Sequence, residues 1–278
     1  MRKKWTEAKV AKLLAEGCGS GTGPNYKPWI EVRDISSKGR KHLVPGTRFG
    51  RDVHLLSDVE YSMFLLLDWS PQVADVNEQF PLDRALTQDV ARKLSIPHPY
   101  FPGTDVPFVM TVDFMVTLTR NGQTVLEAFN TKTDADVADE RELQKLEIQR
   151  TALELMEVPH HLVVESAITE PLATNLAWLQ SALIKPGEVE PHPGFFDEMA
   201  TRFMRHAGAA AQHKTLSQVA SEFDRTQGVE AGTGLRAARI LARRKQVLID
   251  LNSTHPAETS MSKFVVVGQN TLRVAGGY

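Results

Sequence analysis

An Asn-Gly pair at positions 121 and 122 constrains this chain more than any other feature, because β-branched and aromatic runs flank it on both sides. Both turn residues tolerate positive φ, so residues 108–120 and 123–132 are expected to close a hairpin through a two-residue loop. In that register Arg120 faces Gln123, Asp113 faces Asn130 and Thr111 faces Lys132. Side chains alternate with period two, which puts Asp113, Asn130 and Lys132 on one face. Adjacent oxygen-bearing side chains can bind a hard divalent cation, and a neighbouring lysine can steady a nucleophile or leaving group. The same pattern also describes a solvated hairpin face with a cross-strand ion pair. Against that simpler reading, Asp113 interrupts the apolar run Val112, Phe114, Met115, Val116, where an unpartnered carboxylate is costly to bury.

Composition narrows the class. The chain has 278 residues, 42% of them hydrophobic and 24% charged, which suits one large or two ordinary globular domains. The single cysteine, Cys18, excludes an internal disulfide framework and a cysteine-based zinc site, and fits a reducing cytoplasm. No apolar run approaches a membrane span, and Met1-Arg2-Lys3-Lys4-Trp5 lacks the apolar core of a signal peptide, so no membrane association is expected. A net charge of −2 gives no global polyanion signature, and a nucleic-acid partner would need local patches. The first is Lys38, Arg40 and Lys41 with Arg48 and Arg51, a run that reads equally as solvated surface.

In chain order, residues 5–16 carry a helical pattern. The stretch from Gly17 to Pro24 reads as a flexible connector, since a phosphate-cradling loop should follow a strand and open a helix. Residues 26–32 read as extended. Ser57-Asp58-Val59-Glu60 is a capping-box signature before an apolar run at 61–67, with Ser57 as N-cap and Glu60 at N3. Glu60 is then either structural or a companion of Asp113 at a metal. Residues 73–80 read as a strand, and 83–107, with Pro97, Pro99, Pro102 and Pro107, as a long loop over the site. A helix is expected over 139–156, with Leu143, Leu146 and Leu153 inward and Lys145 outward, then a strand at 161–165. His160 and His161 would point to opposite faces of that strand, so they should not share a metal. Together these elements describe a mixed α/β sheet with helices packed on it.

Several of these stretches occur in the order seen in one family. Leu55-Leu56-Ser57-Asp58-Val59-Glu60, Glu78-Gln79-Phe80-Pro81-Leu82, Thr111-Val112-Asp113-Phe114, the strand of Lys132, and Lys145-Leu146-Glu147 resemble TnsA, the endonuclease subunit of heteromeric cut-and-paste transposases. Tyr26-Lys27-Pro28-Trp29 resembles that family's N-terminal part. The resemblance implies a restriction-endonuclease-like core of the PD-(D/E)xK type, in which Glu60, Asp113 and Lys132 match the catalytic acid, the metal-binding Asp and the Lys. It also implies Mg²⁺-dependent cleavage (Mn²⁺ as a substitute) of the 5′ strands at transposon ends in double-stranded DNA. A TnsB-type transposase subunit and a TnsC-type ATP-dependent regulator are the implied partners, in the cytoplasm of a bacterium and on its nucleoid when active. One position departs from the pattern: two before the Lys, Glu or Gln is usual and Asn130 stands here. Its amide oxygen can coordinate a hard cation, on a shorter arm and without charge.

The catalytic domain is expected over residues 1–165 and a second domain over 166–278. Ile184 to Gly187 reads as a linker. Helical patterns at 195–207, 216–224 and 235–245, then strands at 247–251 and 264–267, describe a winged-helix-like domain. Arg236, Arg239 and Arg243 recur on one face of the last helix, as a solvated basic face or as phosphate contacts. Three functions compete: an endonuclease in a transposase complex, a catalytically weak DNA-binding or adaptor subunit degraded at Asn130, and a winged-helix regulator with an unrelated sensor domain.

Overall fold

The computed structural model describes residues 5–34, 40–185, 187–208 and 212–267. Residues 1–4, Lys38 and Pro186, which entered the sequence reading, lie outside the described residues. The chain divides into two compact units, Met1–Ile168 and Thr169–Tyr278.

In the first unit the elements are α1 (Glu7–Ala15), β1 (His42–Gly46), β2 (Arg51–Leu55), α2 (Asp58–Trp69), β3 (Val73–Pro81), α3 (Arg84–Lys93), β4 (Thr111–Arg120), β5 (Gln123–Lys132), α4 (Glu140–Leu155) and β6 (His160–Val164). The Asn-Gly turn forms with both residues at positive φ, 52° and 77°, and holds the expected register from Arg120↔Gln123 to Phe114↔Phe129. Strand order is β3-β4-β5-β6, antiparallel except for the parallel β5–β6 pair. β1 and β2 form a separate antiparallel pair.

Each face of the sheet buries its own core. Met63, Phe64 and Leu67 of α2, with Val53 and Leu55 of β2, meet Val76, Phe114, Val116 and Leu118. Val90 and Ala91 of α3, with Ile148, Ala152 and Leu153 of α4, meet Val112, Met115 and Ala128. Regular alternation would send Val112 to the same side as Phe114, yet the two serve opposite cores. The alternation of β4 therefore slips at Asp113. In β3, Val76 and Phe80 have the same parity and also pack on opposite cores. Between them Gln79 has a left-handed φ of 49°.

Four expectations are corrected. The glycine-rich stretch is no free connector: a Cβ on Gly19 would lie 2.1 Å from Pro81 Cγ, and Gly23 N–H donates to Asp75 at 2.8 Å. Residues 26–32 form turns and an isolated bridge, Ser20↔Lys27, instead of an extended segment. The span 83–107 is not all loop, because Asp83 accepts from Leu86 N–H and starts α3, leaving the prolines to the part that follows. On α4, Leu143 is 44% exposed, and Ile148 and Ala152 supply the inward face with Leu146 and Leu153.

The second unit runs α5 (Glu170–Gln180), α6 (Phe195–Gly208), α7 (Leu216–Gln227), α8 (Thr233–Arg243), then the antiparallel pair β7 (Val247–Leu248) and β8 (Val265–Val266). The turn into α8 is fixed from α7: Asp224 accepts from Gly232 N–H at 2.7 Å and Gly234 N–H at 2.6 Å. A Cβ at Gly234 would sit 2.7 Å from the Ala220 carbonyl, so glycine sets how closely α7 and α8 approach. Among the described residues no helix is long and apolar enough to cross a membrane.

Candidate active site

Beyond Phe114↔Phe129 the two hairpin strands stop pairing, and β5 continues on its other side against β6, from Ala128↔His160 to Lys132↔Val164. The backbone pairs Asp113–Asn130 and Thr111–Lys132 expected from a uniform hairpin do not form. The Asp113 side chain closes the gap instead: Oδ2 accepts from Thr131 N–H at 2.6 Å and from Thr131 Oγ–H at 2.9 Å. Asp113, Asn130 and Lys132 still open on one cavity of 330 Å³, with Glu142, Lys145 and Gln149 of α4 on its wall. Pro99, Tyr100, Pro102 and Phe108 from the segment after α3 complete its rim.

Glu60 of α2 is not among the residues that line this cavity and is buried, 6% exposed. Ser57 caps α2 by accepting from Glu60 N–H, as the sequence pattern requires. The carboxylate does not return to Ser57 N–H as in an ordinary capping box. Its Oε2 accepts from Leu56 N–H at 2.9 Å and Gln79 Nε2 at 3.1 Å, while Ser57 Oγ lies 3.3 Å from Oε1. Burial, and next the charge of Asp113, push the Glu60 carboxyl up to about 8. Burial also raises Asp113, against the bonds from Thr131 and the charge of Lys132. The Asp113 charge thus adds to the cost of ionising the buried Glu60.

Lys132 supplies the opposite charge to Asp113. Burial works against its ammonium, but Asp113 and Glu142 outweigh that and hold it above the usual lysine value. Its Nζ donates to Glu142 Oε2 at 3.0 Å, and Lys145 donates to the other oxygen of the same carboxylate. Burial alone would raise Glu142, and the two lysines override it and pull it down. The Asn130 amide sits 3% exposed with Oδ1 2.8 Å from His160 Nε2. His161 turns away to Glu127 and stacks on Phe129, as the alternation of strand faces requires.

The donor set around Asp113 consists of carboxylate and amide oxygens, which match a hard cation such as Mg²⁺ or Mn²⁺ and not a thiolate-seeking metal. Among the described residues no three His, Cys, Asp or Glu side chains converge as a ready-made cluster, so Asn130 or water would have to complete coordination. Within that limit the residues fit the cation.

The basic residues divide sharply. Arg40 is exposed and 3.6 Å from Asp58, and Lys41 donates to the Val32 carbonyl. Arg51 is buried on Glu78 at 2.6 Å, with further bonds to Gly23 and Val76 carbonyls. Arg48 is spent on the carbonyls of Asp68, Ser70 and Val73. In the second unit Arg236 binds Glu188 and the Ala182 and Leu183 carbonyls and stacks on Phe196. Arg239 donates to the Trp178 carbonyl and Ser181 Oγ, and Arg243 is half-buried. Sequence reasoning gave Glu142, Lys145, Gln149 and Gln79 no role. The first three recur at helical spacing on α4, a signal that was available; Gln79 depends on a backbone twist that no pattern announces.

Residues 70–165 match the family described as TnsA-like endonuclease N terminal, and residues 167–251 match TnsA endonuclease C terminal. The transposition protein TnsA of transposon Tn7 from Escherichia coli is 36% identical over 185 residues, a match spanning 66% of this chain and 66% of that relative.

Proposed function

The chain belongs to the TnsA-like endonuclease family, and from that premise we propose that it is a metal-dependent DNA endonuclease cutting the 5′ strands at transposon ends within a heteromeric transposase. The observation that carries the reading is the opening of Asp113, Asn130 and Lys132 on one cavity, with a second buried carboxylate, Glu60, interacting with Asp113. Glu60, Asp113 and Asn130 would hold Mg²⁺, or Mn²⁺ in its place. When bound, the cation supplies a lowered pKa for water and compensation for charge on the leaving 3′ oxygen.

The chain's own groups do the rest. Thr131 occupies Asp113 Oδ2 with two donors, which fixes the carboxylate and would leave Oδ1 to the cation. Lys132 exchanges Glu142 for the scissile phosphate or the attacking water, orienting one or offsetting charge on the other. Lys145, paired with the same Glu142, adds a second cation facing the DNA backbone. Exposed Arg40, with Lys41 and Lys38 near it in sequence, extends that contact. The second unit, in which α6, α7 and α8 precede a short β-ribbon, acts as a winged-helix-like module for DNA or partner protein, and TnsB-type and TnsC-type subunits are the proposed partners.

Nicking of a plasmid carrying transposon ends, with Mg²⁺ or Mn²⁺ and with a partner transposase subunit, tests the reading. Asp113→Ala should abolish cleavage while circular dichroism and DNA binding stay near wild type. Equal nicking by mutant and wild type refutes it. One observation favours a second reading: Asn130 brings no charge to the cation and its Oδ1 is engaged by His160. A catalytically weak adaptor subunit would bind the same DNA and partners and nick no faster than Asp113→Ala.

A further inference from the structure

We infer that Gln79 is a positioning residue for the cation site, aiming the Glu60 carboxylate at it; the inference rests on the metal-dependent reading above. Gln79 lies in β3 between the pairs Glu78↔Phe114 and Phe80↔Val112, opposite Asp113 in the register. Its φ of 49° is a conformation that glycine, asparagine and aspartate adopt readily and that a glutamine in a strand rarely does. Such residues persist only where the surroundings over-determine them, and they gather at functional sites. Here the surroundings are explicit. Trp29 N–H donates to the Gln79 carbonyl at 3.3 Å, and Pro81, two residues on, is packed against Gly19.

The twist brings the Gln79 side chain inward, 3% exposed, and both ends of its amide are used on neighbours of the site. Thr111 Oγ–H donates to Oε1 at 3.3 Å, which fixes the amide's orientation and leaves Nε2 to donate to Glu60 Oε2 at 3.1 Å. Leu56 N–H occupies the same Glu60 oxygen. Oε2 is therefore held by two N–H donors, and Oε1 is left with the Ser57 hydroxyl, which can rotate away. A merely structural buried side chain here would be better apolar, since an amide must find a partner at each end. Outer groups that orient metal-binding carboxylates typically alter metal affinity or activity 10- to 100-fold when removed.

The test is Mn²⁺ binding to the full chain, followed by electron paramagnetic resonance, with the melting temperature measured alongside. Gln79→Met keeps the volume and deletes both amide bonds; Gln79→Gly also relieves the left-handed backbone and guards against a folding failure. Both variants should weaken Mn²⁺ affinity about 10-fold or more. Raising Mn²⁺ should restore most of the nicking rate, with KM for DNA unchanged. In a Glu60→Gln background, Gln79→Met should cause no further loss. Wild-type affinity in both variants, or an equal further loss in the Glu60→Gln background, overturns the inference whatever the melting temperature does. Equal Mn²⁺ affinity in wild type and Asp113→Ala overturns the metal-dependent reading itself, and this inference with it.

Discussion

The buried carboxylate of Glu60 should make the metal-free protein lose stability as pH rises, and Glu60→Gln should remove that loss. Its ordinary value of 4.5 is pushed up to about 8, first by burial and then by Asp113. Between those values the folded chain holds a proton that the unfolded chain has released. The contribution is fully present below pH 4.5 and is gone once pH passes 8. At 1.36 kcal/mol for each pH unit, the loss between pH 5 and pH 7.5 is about 3 kcal/mol. In a unit of this size that is a fall of roughly 10 °C in melting temperature. Asp113 is raised too and tilts the curve the same way, so the informative quantity is the difference between Glu60→Gln and wild type. Unfolding in EDTA, followed by tryptophan fluorescence at pH 5–8.5, should show that difference growing in favour of the mutant. Saturating Mg²⁺ should raise the wild type most at the alkaline end. A mutant-minus-wild-type difference that stays flat across the range would refute the electrostatic account of this pair.

Other perturbations probe the frame around the site. Arg51→Met removes the ion-pair partner of Glu78, whose side chain is 0% exposed, and should cost about 4 kcal/mol in denaturant unfolding, with much of it recovered in Arg51→Met/Glu78→Gln. Gly19→Ala places a Cβ 2.1 Å from Pro81 at a φ of 80°, and should lower stability by about 2 kcal/mol or more in the same assay. Asp224→Ala strands the Gly232 and Gly234 N–H groups and should destabilise the second unit by about 2 kcal/mol, read from the single tryptophan there, Trp178.

Local signals carried much of the fold. Asn121-Gly122 set a hairpin and its register because the turn needs positive φ twice, and Ser57 started α2 because its hydroxyl meets an orphan N–H. Signals failed where tertiary contacts decide. Arg48, Arg51, Arg236 and Arg239 look like solvent-facing cations in sequence, yet carbonyls, carboxylates and rings from distant elements consume them. The β1–β2 pair went unseen because its strands are short and Arg51, a charged residue in β2, is buried. That Asp113, Asn130 and Lys132 line one cavity follows from their spacing, but a uniform ladder does not bring them there. In fact the ladder ends at Phe114 and the Asp113 carboxylate takes over a backbone partner's role.

The stretch shared with the N-terminal family description opens at residue 70, one residue after α2 ends. Any fragment trimmed to that stretch keeps the strands of Asp113 and Lys132 but leaves behind the helix bearing Glu60. It would also discard Arg51 and Gly19, which brace β3 from outside. Expression boundaries that keep Glu60, Arg51 and Gly19 therefore start upstream of α1, and a silent short fragment would not count against the proposed endonuclease, because it lacks the candidate acid.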